Sequence, residues 1–168
     1  MRLPKRQPYN IFERAIDADV LPYAKRAGLT VLSYGALCRG LLSGRMTADT
    51  KFDGDDLRKV DPKFQGQRFR QYLAAVDQLK KLAQERFGKS VLALAVRWVL
   101  DQGPTIALWG ARNPSQMDPI AEIDGWHIDA ATKREIDAIL KRNITDPVSP
   151  SFMAPPVSRP MEYQSSAA

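Results

Sequence analysis

The stretch VLSYGALCRGLLSGR, residues 31–45, decides how the rest of the chain is read. Apolar and small residues lead into Tyr34, a turn rich in small residues runs from Gly35 to Gly40, and the stretch closes on the basic Arg45. The pattern predicts a buried parallel strand running straight into a loop that exposes backbone amides. In α/β folds ligands sit just outside the carboxyl ends of strands. An aromatic at that edge, followed by small residues and Arg39, suits a planar ring and a phosphate. The plain alternative is a tight strand-to-helix connection that binds nothing.

Upstream, residues 11–27 read as a helix, with Phe12, Ala15, Ile16, Asp19, Val20 and Tyr23 at helical spacing and Pro22 as a kink or terminator. Gly28 stands where a left-handed cap belongs. Residues 29–33 follow as a strand, apolar nearly throughout and so expected to be buried on both faces. A further strand is expected around residues 3–9. Downstream, residues 47–66 are polar and read as a long surface loop or flap, a kind of segment that is often functional. Residues 67–87 form an amphipathic helix with Phe69, Leu73, Val76, Leu79, Leu82 and Ala83 on one face, ended by Gly88. Ser90 caps a second helix over 91–101, which turns Leu92, Ala95, Val96 and Val99 inward and stops at Gly103 and Pro104. Residues 105–109 are a short apolar strand that breaks into Gly110, Ala111, Arg112, Asn113 and Pro114. Asn113 there is placed to cap a short helix with Pro114 at its first position. Residues 123–128 connect to a last helix, capped by Asp129 and running through Leu140, with Ile136, Ile139 and Leu140 inward.

The order of elements calls for parallel α/β layering. Two or three strands do not close a sheet, and bare buried edges are costly, so the chain reads as an incomplete α/β domain. Its 168 residues are one domain or part of one. An α/β part over 1–144 and a Pro- and Ser-rich, partly disordered tail over 145–168 are the expected division. The net charge of +6 fits phosphate-bearing small molecules, nucleic acid or simple solubility. Lys and Arg are scattered without an RNA-binding aromatic signature, so no nucleic-acid partner is expected. No run of eighteen apolar residues occurs, and no membrane partner is expected. The lone Cys38 forms no internal disulfide, and the basic start lacks the apolar stretch of a secretory signal; a cytoplasmic location is the default. No Cys/His cluster, Walker lysine loop or GxGxxG turn is present, and Asp53, Asp55 and Asp56 read as a solvated loop rather than a metal site.

Four stretches together resemble the carboxyl-terminal half of an aldo-keto reductase: QPYNIFER at 7–14, DVLPYAKRAGLTVLSYGALCRGLLSGR at 19–45, LALAVRWVL at 92–100 and ALWGARNPSQMDPI at 107–120. The resemblance implies a partial (β/α)8 TIM barrel, about strands six to eight with their helices, and NADP as cofactor. It implies that Gln7 hydrogen-bonds the nicotinamide carboxamide and that Tyr34 stacks on the nicotinamide ring. Gly35, Leu37 and Arg39 stand where the family cradles the pyrophosphate. Gly110, Ala111, Arg112 and Asn113 match the loop that binds the adenosine 2′-phosphate, and Gln116 matches a contact at the adenine end. Arg112 suits that role because a guanidinium forks onto phosphate, and the turn at Pro114 is expected to aim amides at the same anion. Pro119 and Ile120 depart from the acidic residue and Asn that the family often sets against adenine. The stretch DPVSPSFMAPP, residues 146–156, resembles a branch in which the tail borders the substrate pocket.

In the family a Tyr, a Lys, an Asp and a His on the first four strands carry hydride transfer to a carbonyl. No residue here aligns with them, and the sole histidine, His127, reads as a connector residue. The implied function is therefore an NADP-dependent oxidoreductase converting aldehydes or ketones to alcohols, present as the cofactor-binding half without catalytic residues. Its implied partners are NADP(H), a small carbonyl substrate and a complementing chain. The alternative is a non-catalytic remnant that binds nucleotide weakly or only self-associates.

Overall fold

The computed structural model describes residues 8–149 and 152. Two parallel strands, β1 (Val31–Tyr34) and β2 (Thr105–Leu108), form the sheet, paired Val31 to Thr105 through Tyr34 to Leu108. Four helices follow the order α1 (Val20–Arg26), α2 (Gly66–Phe87), α3 (Val91–Leu100) and α4 (Ala130–Asn143). The α2–α3 hairpin carries the chain from β1 to β2, as a parallel pair requires.

The continuous helix expected over 11–27 is broken. The buried side chain of Asn10 accepts the amides of Phe12 and Glu13 at 2.9 and 3.1 Å, which holds this stretch in a turn. A 3-10 turn at Ala15–Asp17 follows, and α1 starts only where Asp19 accepts the Val20 amide. Pro22 neither kinks nor ends α1. It lies in the first turn, where its missing N–H has no helical partner to lose. Gly28 does take the left-handed conformation, φ +65°, and lets the Leu29 amide reach back to the Ala24 carbonyl.

β1 begins at Val31 and is not buried on both faces. Ser33 is buried toward the helices, whereas Leu32 is 63% exposed and its register partner Ile106 47% exposed. With two strands, only the helix-facing side of the sheet finds a covering layer among the described residues. The strand expected near 3–9 lies mostly outside the described residues; the Tyr9 amide donates to the Tyr34 carbonyl at 3.0 Å, beside β1.

Residues 47–66 are more structured than a surface loop. Asp56 and Asp61 cap 3-10 turns at Leu57–Lys59 and Pro62–Phe64, and Phe52, Phe64 and Phe69 pack ring against ring at 5.5 to 6.2 Å. α2 follows its predicted span, closed by Gly88 at φ +63°, and buries Tyr72, which the spacing omitted, while Leu73 is only half-buried. α3 is capped by Ser90 and buries Leu92, Ala95, Val96 and Val99 as expected, with Val91, Ala93, Leu94 and Trp98 besides. Asp129 caps α4 through the Thr132 amide at 2.6 Å. Trp126, in the connector before it, stacks on Phe87 at 4.6 Å.

Candidate functional site

The carboxyl ends of β1 and β2 open onto a cleft of about 1080 Å3, and the 46–58 flap forms its opposite wall. Tyr34 is the last residue of β1 and lies half-buried at the strand-end side of the cleft. Gly35 follows at φ +71°; a Cβ there would meet the Pro8 side chain at 3.4 Å. The buried Leu37 lines the floor. Cys38 and Arg39 both adopt left-handed backbone, φ 47° and 53°, uncommon for residues with side chains. Arg39 reaches the cleft with its Nε 3.3 Å from the Asp61 carboxylate.

From β2, Gly110, Arg112 and Gln116 line the same cleft. The Gln116 side-chain carbonyl accepts the Arg112 amide at 2.6 Å, which ties the loop to the turn behind it. Ala111 and Asn113 are exposed and stand off the cleft wall. Asn113 does not cap a helix. Its side-chain oxygen accepts the Ser115 hydroxyl at 2.8 Å, and Pro114–Gln116 is a single 3-10 turn. Three residues do not build the aligned dipole of a helix end, so the expected amide contribution from this turn is withdrawn. Gln7 lies outside the described residues.

Spacing did not single out Trp109, Phe52 and Arg58, which also line the cleft, as does Asp56 of the acidic cluster read as a solvated loop. Arg58 grips Asp56 through two nitrogens at 2.5 to 3.1 Å and lies over the Phe52 ring at 4.4 Å. Those side-chain bonds, then the Arg58 amide, hold the Asp56 carboxyl well below the usual range, and the charge of Arg112 adds to the effect. Asp56 of the flap and Arg112 of the β2 loop thus line the same cleft. The flap's signal in the sequence was the length and charge of the loop.

Burial pushes the Cys38 thiol well above its ordinary pKa, so it is not a poised nucleophile. His127 is largely exposed, 3.1 Å from Asp101 and remote from the cleft lining. No group of three His, Cys, Asp or Glu able to hold a metal exists among the described residues, and no helix is long and apolar enough to cross a membrane.

A parallel α/β unit with its cleft at the carboxyl strand ends has the architecture of a (β/α) barrel segment. The aldo/keto reductase family model matches residues 6–141, and the chain belongs to that family of oxidoreductases. It is 58% identical over 150 residues to the aldo-keto reductase YhdN of Bacillus subtilis, covering 89% of this chain and 45% of that protein. A glycerol dehydrogenase of Gluconobacter oxydans superposes with a TM-score of 0.79 at 56% identity, over 88% of this chain and 45% of that one. An aldo/keto reductase of Klebsiella pneumoniae, solved with NADP and acetate, shares the fold at a TM-score of 0.53 and 18% identity, over 80% of this chain and 38% of that one. The chain spans less than half the length of these relatives.

Proposed function

We propose that this chain is the cofactor-holding half of an NADP-dependent reductase that converts small aldehydes or ketones to alcohols. β1 and β2 are read as the seventh and eighth barrel strands. The carrying observation is that Tyr34 and Arg112, at the exits of two hydrogen-bonded strands, line one cleft. The donor set suits a dinucleotide: an aromatic face for a flat ring, a guanidinium for phosphate, and Gly110 with open space around its Cα for close backbone approach. Bound there, the dinucleotide would supply hydride to a carbonyl carbon. This chain's own part is to hold it: Tyr34 and Gln7 at the nicotinamide end, Gly35, Leu37 and Arg39 along the pyrophosphate, and Gly110, Arg112 and Gln116 at the adenosine end. The side chains that handle the carbonyl and the proton have no aligned counterpart here, and the reading assigns them to the barrel's other half.

A second reading is favoured by the exposed pair Leu32 and Ile106: a non-catalytic remnant that self-associates through the open sheet face. Titration with NADP+ and NAD+, followed by Trp fluorescence, separates the two. Arg112→Ala is expected to weaken NADP+ by about ten- to a hundredfold, the range of a lost charge-assisted phosphate contact, and NAD+ far less. Equal losses would refute the role of Arg112. Co-expression with the amino-terminal half of a family barrel should then yield NADPH-dependent carbonyl reduction, and a dimer that never gains it supports the second reading.

A further inference from the structure

After Leu108 the chain leaves β2 and runs to Pro114 without helix or strand. No ladder therefore sets the backbone at Arg112. An amide outside regular structure takes a side chain or water as its acceptor. The Arg112 amide takes the Gln116 side-chain oxygen, at 2.6 Å and four residues on.

Gln116 can act as a post because it is itself held. Its own amide donates to the Asn113 carbonyl at 3.2 Å within the Pro114–Gln116 turn. That turn runs into a second 3-10 segment, Asp118–Glu122. There the Glu122 carboxylate accepts the Ser90 amide at 3.1 Å, at the cap of α3, and the Glu122 carbonyl accepts the Trp126 indole at 2.8 Å. α3 is a core helix, with Trp98 and Val99 fully buried. The segment that carries Gln116 is thus moored to β2 at one end and to the core at the other. Arg112 is exposed, with a long side chain whose ordering costs entropy. Fixing the backbone at its root before a ligand arrives reduces what binding must order.

We infer that Gln116 is a positioning residue: it sets the Arg112 backbone for the 2′-phosphate of the dinucleotide, rather than acting on adenine. This rests on the cofactor reading above. The competing role is the adenine-end contact that the family resemblance implies for Gln116. The Gln116 oxygen is engaged by the loop in the free protein, with no nucleotide in the cleft.

The two roles part on cofactor chemistry, because NADP+ and NAD+ share adenine and differ by the 2′-phosphate. Gln116→Met keeps the side-chain length and removes the acceptor. It is expected to weaken NADP+ by about three- to tenfold, the range of one neutral hydrogen bond, and to leave NAD+ unchanged. It should add little in the Arg112→Ala background, where the amide is still held but no guanidinium remains to be placed. Should Gln116→Met fail to fold, Gln116→Ala removes the same acceptor. Equal losses of NADP+ and NAD+, or full additivity with Arg112→Ala, would overturn the inference in favour of an adenine contact. Hydrogen exchange of the Arg112 amide, read by NMR on the ligand-free chain, tests the tether without any cofactor. Exchange should be several-fold faster in Gln116→Met than in the wild type, and Gln116→Glu, which keeps an oxygen acceptor, should restore the slow rate. Equal rates in the wild type and Gln116→Met overturn the tether whatever NADP+ does. A wild type that binds neither nucleotide fails the cofactor reading, and the exchange rates then decide the tether by themselves.

Discussion

At the scale of single residues, Asp101 joins two elements that the sequence keeps apart. Its carboxylate takes the Ile128 amide at 2.8 Å, Arg97 at 2.8 Å and the His127 ring at 3.1 Å, while its carbonyl accepts from Lys133 at 2.6 Å. Burial alone would raise its pKa, but the Ile128 amide, His127 and Arg97 outweigh that and leave it below the ordinary 3.8. A carboxyl whose pKa is depressed on folding stabilises the protein above its unfolded pKa, and the gain is lost as pH falls through the folded value. Urea midpoints should therefore drop as pH is lowered from about 5 toward 3, and Asp101→Asn should flatten that acid limb while lowering the midpoint at neutral pH. An unchanged limb would show that Asp101 is not the linkage site. Caps at Ser90 and Asp129 were legible, because each acts on an amide three residues on. The partner of Arg39 was not, because Asp61 comes from another element. Local competition also spoiled the cap expected at Asn113, whose oxygen is taken by Ser115.

At the scale of elements, the long helix α2 was the most legible feature, since a wide apolar stripe and a closing glycine both mark it. Gly88 sits at φ +63° with nothing within 4 Å of an added Cβ, so Gly88→Ala meets backbone strain and no clash. That substitution should cost about 1 kcal/mol, and in a domain of this size lower the melting temperature by about 2–4 °C, as scanning calorimetry would read it. No change would mean that the helix end relaxes into another cap. The stretch at 11–27 does not form one helix, because Asn10 and Asp19 capture amides that apolar spacing does not register. α3 buries Leu92, Ala95, Val96 and Val99 as its spacing predicts, and Val91, Ala93, Leu94 and Trp98 as well, because a helix enclosed on nearly all sides keeps no polar face to set a limit on the buried one.

At the scale of the whole molecule, the sheet is the exposed part. Leu32, Ile106 and Leu108 stand out on its uncovered face, beside Tyr34, while the helices bury the other. Contiguous apolar surface of this kind drives association. Sedimentation at rising concentration should show species heavier than the 18.8 kDa chain, and Leu32→Glu with Ile106→Glu should shift them toward the monomer with unchanged circular dichroism. A wild-type monomer at all concentrations would mean that this face stays wet. By itself the sequence determined the family, the strand exits and the residue types at the cleft, because those follow from short-range pattern and ordered motifs. Only the tertiary structure decided that the flap folds back over the cleft, that Ala111 and Asn113 stand off its wall, and that Asp61 stands beside Arg39. Burial and charge pairing depend on which distant segments meet, and a one-dimensional pattern carries no record of that.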